Sequence, residues 1–399
     1  MSHKHRFEDY KMRRIFALII MSLVGIACLA YPSYAQSEPI ILLIDGDLWS
    51  IASPDDEPFR ETYWGYNNNI ALSPNGQYLA YDSIPDWMVE RDLAGIEAIN
   101  YDQHPATNIW VMEIATRTFT RIATQAEPAE DSFPIRRTAP VWSPNSQQLA
   151  WLQIGGEGDG LHLVIYDIPS NITVTGPGNL DGVYGDAGFY GITDSLTWGD
   201  TLAFDAFSYQ LDQRLITVFD ENDIDAQRVN ARLGYDNDLN VQEWRWIEDK
   251  GQWFIGLRYV YGWQFWDYKT DTYFESNETP QLQTISGNGL GLHYASNTQQ
   301  WTVIQTDGSE IILPVGYHSP ALSADGLSIV LMYLQTIDDN RVWTFEIWND
   351  GEISPLTDMN TSAFSGASVI WTPMVWRIDG TLTALSQPTP IPTSTPNQG

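Results

Sequence analysis

Short runs of alternating apolar and polar positions recur along this chain, and three of them begin with nearly the same turn. "ALSPNGQYLAY" starts at Ala71, "PVWSPNSQQLAW" at Pro140 and "ALSADGLSIVL" at Ala321. In each, an apolar run meets a Ser-Pro-Asn-Gly type turn. Pro74 pre-sets one backbone angle there and Gly76 accepts a positive one, which is hairpin chemistry. The runs after the turn, such as "QYLAY" and "QQLAW", suit strands covered on one or both faces. A second pair of strands follows each copy: "NIWVMEI" with "TFTRIAT", "LHLVIYDI" with "NITVTG", and "VWTFEIW" with "EISPLT".

Weaker copies occupy the middle of the chain. "SLTWGDTLAFDAF" at 195–207 leads to "RLITVFD", "EWRWIEDKGQWFIGL" at 243–257 leads to "WQFWDYKTDTYF", and 289–313 has the same rhythm in shorter form. A four-stranded unit of this kind has two apolar faces that only neighbouring units can cover. The repetition predicts an all-β chain folded as a single β-propeller. Six internal blades plus one assembled from both chain ends make seven, with six or eight left open. "PIILLIDGDLWSIAS" at 39–53 lacks a preceding hairpin, and "SVIWTPMVWRID" at 368–379 lacks partner strands. Joining them in one blade removes two exposed sheet edges and closes the ring. The insertion 86–107 interrupts the first full blade. Trp87, Val89, Leu93 and Ile96 give it the spacing of a short amphipathic helix, read either as a lid on its own blade or as a partner contact.

The copies resemble the WD-repeat-like motif of TolB-type propellers, in which Ser-Pro-Asp-Gly and an apolar run precede Asp-Ile-Trp-Val-Met-Asp. "SPNGQYLAY" with "NIWVME" matches closely and "SADGLSIVL" with "VWTFEIW" moderately. The resemblance spans roughly residues 40–376 and is specific in the first, second and "SADG" copies. Asn75 and Asn145 replace the turn Asp of the family. Such motifs identify blades, and what the resemblance implies about function is a role class, binding at the cell envelope.

The first 35 residues differ in kind. Lys11, Arg13 and Arg14 precede an apolar stretch from Ile15 to Ala30, followed by Ser33-Tyr34-Ala35, the order of an export signal cut after Ala35. An uncleaved anchor is the alternative, although the stretch is short for a span. Gly25 stands where a lipoprotein signal before Cys28 prefers Leu. A mature chain from Gln36 has no cysteine, which excludes disulfides and Cys-ligated metal sites. The domains expected are a signal at 1–35, a propeller at 36–386 and a Pro/Thr-rich disordered tail at 387–399. The expected setting is periplasmic, cell-surface or extracellular.

Charge narrows the partners. Across 399 residues, 20 basic against 51 acidic residues give a net charge of −31, a field that repels nucleic acid. Export would remove five basic and two acidic residues and leave the chain more acidic still. A protein or peptide partner, preferentially basic, or a glycan fits instead, with the chain itself a monomer. The 17 Trp, 20 Tyr and 14 Phe suit both a sheet-rich scaffold and a recognition surface.

Catalytic constellations are missing. There is no G-x-S-x-G elbow, H-E-x-x-H pair or phosphate loop, and His104, His162, His293 and His318 are scattered. No cofactor is expected. "DNDLN" sets Asp236, Asp238 and Asn240 at the alternation of a calcium loop, but Val241 stands in the place of its Gly and Ile247 in that of its bidentate acid. The site expectations are therefore this one metal candidate and no catalytic residue. The reading is an exported, non-enzymatic propeller that binds protein, peptide or glycan. The alternative is a secreted carbohydrate-active enzyme with carboxylates in the central channel.

Overall fold

The computed structural model describes residues 39–385, apart from 97, 100–104, 130–133, 156–160, 177–195, 209–212, 221–222, 234–240, 242, 260, 277, 286, 288, 296–297, 339, 363–366 and 379–380. Strands dominate, and the one helix among the described residues is Asp86–Leu93.

The turns form through local bonds. Ser73 Oγ donates to Asn75 Oδ1 at 2.8 Å, that oxygen accepts the Gln77 N–H at 3.0 Å, and Ser73 Oγ accepts the Tyr78 N–H at 2.9 Å. Ser143 and Asn145 repeat the set at 2.7, 3.0 and 2.9 Å, as do Ser323 and Asp325 at 2.5, 3.0 and 2.9 Å. The repeated set uses only Oδ1, so Asn serves as well as Asp and positions 75 and 145 keep the turn; at 75 the amide also donates to Gln77 Oε1 at 3.2 Å. Gly76 and Gly326 take φ of 69° and 66°; Ser146 takes 62° in the equivalent place, and its Oγ accepts the Asn75 N–H at 2.9 Å. The turns of two adjacent units are thereby tied together.

Seven sets of antiparallel strands succeed one another in the described residues. Unit one comprises Ile40–Ile44, Asp47–Ile51 and Phe59–Arg60. Unit two runs from Asn67–Leu72 to Thr118–Ala123. Unit three starts with two short strands, Arg136–Arg137 and Val141–Trp142, both on Gln148–Ile154, and ends with Ile172–Thr175. Unit four spans Thr197–Trp198 to Asp223–Leu233, and unit five Glu243–Asp249 to Thr272–Glu275. Unit six spans Gln281–Thr284 to Glu310–Ile312, and unit seven Tyr317–Leu322 to Glu352–Ser362. The first strand of unit six lies before the 289–313 stretch in which the repeat was legible.

Successive sets bury apolar faces against one another, except between units five and six. Leu43 and Leu48 of unit one meet Leu79 and Tyr81 of unit two. Ala80 and Val111 then meet Leu149 and Trp151 of unit three, whose Leu152 and Leu163 meet Phe204 and Phe219 of unit four. Ile216 and Val218 pack on Trp246 and Leu257 of unit five, and Leu292 and Val303 of unit six on Leu331 and Trp348 of unit seven. Val330 and Phe345 of unit seven return to Leu42 and Ile51 of unit one. This succession of four-stranded sets, each a sandwich layer for the next, is a β-propeller.

The chain's last strands depart from expectation. Ser368–Ile370 does join unit one, with Leu42 opposite Val369. Met374–Arg377 does not. It pairs antiparallel with Gln281–Thr284 of unit six and in parallel with unit five, Glu248 opposite Arg377. Pro373, with no N–H to give, separates the two strands. Trp376, Ile378 and Leu382 cover the Ile247, Phe254 and Phe265 face of unit five, and Thr383–Ala384 adds to that unit's outer strand. The C-terminal segment is thus a wedge where units five and six would otherwise meet.

The expected helix forms within the 86–107 insertion. Val89 is buried and the Trp87 indole donates to the Gln125 carbonyl at 3.2 Å, whereas Leu93 and Ile96 stay 76% and 67% exposed, so the apolar stripe packs only in part.

Candidate functional site: a tryptophan-walled cavity

The first strands of units two to six end in one place and enclose, with Met374–Arg377, a cavity of about 330 Å³. Trp142, Trp198, Trp246, Trp253 and Trp376 form much of its wall, with Pro74 and Pro144 of the tied turns at one side. Local sequence puts the rings there. Trp142 and Trp198 each close a first strand immediately before its turn, and Trp246 is the middle residue of the equivalent strand. The Trp142 indole donates to the Ala71 carbonyl of unit two at 2.9 Å and stacks on Tyr78 at 5.9 Å. Trp246 lies so close over Gly199 that a Cβ at 199 would sit 2.3 Å from its ring. Only glycine permits that approach.

The charges in the wall are paired. Arg377 Nε donates to Glu248 Oε2, and its other nitrogens donate to the Thr284 carbonyl at 3.1 Å and the Ile285 carbonyl at 2.5 Å. Glu248 Oε1 accepts the Gly251 N–H at 2.6 Å. One side chain therefore fastens the terminal strand to units five and six together. The Arg245 guanidinium lies 3.7 Å from the Trp376 ring centroid and 5.3 Å from that of Trp263, and pairs with Glu243. Burial, with the Arg258 charge second, pulls Arg245 down to about 9. The planar cation sits between indole faces, an arrangement that orients Trp376. The Trp246 Nε1 is buried with no hydrogen-bond partner.

Two further hollows occur among the described residues. One of about 260 Å³ at the first two units carries Trp64, Tyr81, Trp110 and Phe119, with Arg121 over the Trp110 ring at 5.5 Å, Glu61 paired with Arg117 at 3.3 Å, and Asp86 also in the wall. The other, about 440 Å³, holds Asp55, Asp56, Glu57 and Asp358 between units one and seven and has no aromatic wall.

Of the residues singled out in the sequence, Asp236, Asp238, Asn240 and His104 lie outside the described residues. His162 Nδ1 is 3.2 Å from the Gly176 carbonyl, and His318 packs edge-on to Trp343 at 4.9 Å. No group of three or more His, Cys, Asp or Glu poised for a metal occurs among the described residues. The cavity itself went unread in the sequence, although "VWSPN" and "TWGD" each set a tryptophan just before a turn and "WRWIED" sets Trp246 mid-strand.

A propeller with an aromatic cavity lined by its first strands, their turns and the terminal strand is the class that this geometry defines. No family model matches the chain, and no curated protein does. Solved structures do. TolB from Acinetobacter baumannii is 13% identical over 85% of this chain and 67% of its own, with a TM-score of 0.40. The β-propeller domain of the Trilobed protease from Pyrococcus furiosus is 10% identical over 76% of this chain and 99% of its own, at 0.36. An acylaminoacyl peptidase from Pyrococcus horikoshii is 13% identical over 78% of this chain, at 0.41, and the chain spans 48% of that protein. At these TM-scores the likenesses carry no argument about function. Among the described residues no helix is long and apolar enough to cross a membrane.

Proposed function

We propose that this chain is an exported, non-enzymatic propeller at the cell envelope, and that it binds a protein, peptide or glycan ligand in the tryptophan-walled cavity. One observation carries the reading: among the described residues of the wall Glu248 is the single carboxylate, and both its oxygens are already accepting, one from Gly251 and one from Arg377. Hydrolysis of a glycosidic bond calls for two carboxyl groups across the scissile bond, one of them free to give a proton. Five indoles and paired charges supply recognition surface instead. Export rests on the Lys11 to Ala35 pattern, and the acidic exterior favours cationic partners over polyanions.

The test uses the secreted protein with peptide and glycan libraries, following bound ligand and its chemical integrity by mass spectrometry. Intact ligand recovered from wild type, and lost with Trp198→Leu, is the expected result. Glycan cleavage that disappears in Glu248→Gln would overturn the reading in favour of a carbohydrate-active enzyme.

A further inference from the structure

We infer that the chain's own proline-rich segment, residues 386–399, docks in the tryptophan-walled cavity as an extended polyproline helix. This rests on the reading of the cavity as a binding site and gives that site an occupant. Three observations lead there: where the segment leaves the fold, how far it reaches and what it is made of.

The exit is set by unit five. Trp246 lies opposite Ile255, Ile255 opposite Trp266 and Trp266 opposite Tyr273, one row of side chains across the sheet. Leu385 extends the row. Its N–H donates to the Tyr273 carbonyl at 2.8 Å, beside the pairing of Ala384 with Phe274, and its side chain packs on the cluster that holds Trp246, Trp266 and Tyr273, as does that of Trp253. Directly opposed residues share a face of the sheet. The segment therefore starts from the face of unit five that carries Trp246 and Trp253 into the cavity wall. Direction agrees with this. Thr383–Ala384 is antiparallel to Thr272–Glu275 and so runs the same way as Glu243–Asp249, toward the end of the sheet where Glu248 and Trp253 line the cavity.

Reach is ample. Four strand spacings of about 4.8 Å, or roughly 19 Å, separate Thr383–Ala384 from Glu243–Asp249. Residues 386–399 in a polyproline helix, at about 3.1 Å each, span roughly 43 Å.

Composition suits the wall. The segment reads "SQPTPIPTSTPNQG", with Pro388, Pro390, Pro392 and Pro396 and no charged residue, in a chain of net charge −31. Prolines at this density favour the polyproline helix, which aromatic-lined grooves bind at low entropic cost. Trp198, Trp253 and Trp376 of the wall are half-buried and offer such rings. The arginines among the described residues of the wall are engaged, Arg245 with Glu243 and Arg377 with Glu248, and an uncharged segment meets the rings without displacing either pair. A volume of about 330 Å³ suits a short extended stretch and not a folded partner's surface. Tethering supplies the rest: a segment attached this near its site acts at an effective concentration on the order of millimolar, so a weak intrinsic affinity suffices.

A contact-quenched label on the full secreted chain is the test. Cys28, the one cysteine, lies in the stretch read as an export signal, so Thr389→Cys and Thr393→Cys, made in turn, each give a single site for a bimane, whose emission an indole quenches on contact. Quenched emission is expected from at least one position, unchanged on dilution. It is expected to be relieved by Trp198→Leu, by Trp253→Leu and, with no change to the fold, by the synthetic peptide 386–399 in millimolar excess. Replacing Pro388, Pro390 and Pro392 together by Gly, which frees the pre-set backbone angles, is expected to relieve it as well. Bright emission from both positions, or quenching that survives both tryptophan substitutions and the peptide, overturns the inference. Quenching that fades on dilution assigns the segment to a second copy's cavity and overturns docking within the chain. A library ligand that depends on Trp198 yet leaves the label quenched also overturns the inference, while the binding reading stands. A docked segment that no library ligand displaces upholds the inference and overturns the reading of the cavity as a site for external ligands.

Discussion

The junction of units seven and one and the junction of units five and six are both completed by the end of the chain, by opposite means. At the first, Ser368–Ile370 extends the sheet of unit one, and Leu42 and Ile51 pack directly on Val330 and Phe345. At the second, Met374–Arg377 enters between the units and its side chains stand in for a direct contact. Trp376 stacks toward Trp301 of unit six at 6.5 Å while it covers Ile247 and Phe254 of unit five. The difference teaches that a repeat scaffold need not treat its interfaces alike. One is made of matched apolar faces, and the other of a guest strand held by Arg377 that also walls the cavity.

Truncations break the comparison most severely. Ending the chain at residue 366 removes both strands, and cooperative unfolding is expected to be lost in calorimetry. Ending it at residue 372 keeps Ser368–Ile370, and the chain is expected to fold with stability lowered on the order of 3–5 kcal/mol, since buried Ile378 and half-buried Trp376 both go. Hydrogen exchange should then quicken at 243–249 and 281–284 and stay unchanged at 40–44. Equal quickening at 40–44 would show that the two junctions are not independent.

Leu42, fully buried at the direct junction, is the next probe. Leu42→Ala is expected to cost about 2–5 kcal/mol in urea unfolding and to add to the residue-372 truncation within about 0.5 kcal/mol, because the sites share no partner. Arg377→Ala acts at the other junction. It leaves Glu248 half-buried without its cation, at an expected cost of about 1–3 kcal/mol. Pairing it with Glu248→Gln should recover part of that loss, as removing both members of a shielded pair usually does.

The smallest expected effect is a pH signature of the wedge side. Burial holds the His293 imidazole below its usual value, with Arg258 and Arg245 adding to the depression and the Pro280 backbone and Glu310 opposing it. The unfolded imidazole, near about 6.5, takes its proton first on acidification. His293 therefore contributes stability fully above that value, and the contribution fades as pH falls through the lowered folded value. Urea midpoints measured from pH 7.5 to 5 are expected to fall less steeply in His293→Gln than in wild type.

What the sequence disclosed follows the range of the interactions. The turns were legible because Ser73, Asn75 and Gln77 bond within a few residues, and repeating that set three times made the scaffold readable. The pairing of the first strand with 368–370 was legible as well, because both ends carried unmatched apolar runs. The fate of 374–377 was not. Its decisive partner, Glu248, lies 129 residues away, and nothing local distinguishes "MVWR" from an ordinary blade strand. The cavity falls between these cases: the tryptophans before the turns repeat visibly, but a ring that lines a site and a ring that packs between blades carry the same local pattern.

The guest strand also sets an order in time. Every junction from unit one to unit five can form as the chain emerges, whereas the last strands reach far back along it, Val369 to Leu42 of unit one and Arg377 to Glu248 of unit five. Such contacts require closing very long loops and are slow to form. A chain arrested anywhere before residue 368 is left with two unsealed apolar faces, a target for chaperones and proteases. Residues 368–384 thus act as a late-forming seal, which completes both the packing of units one and five and the last wall of the cavity.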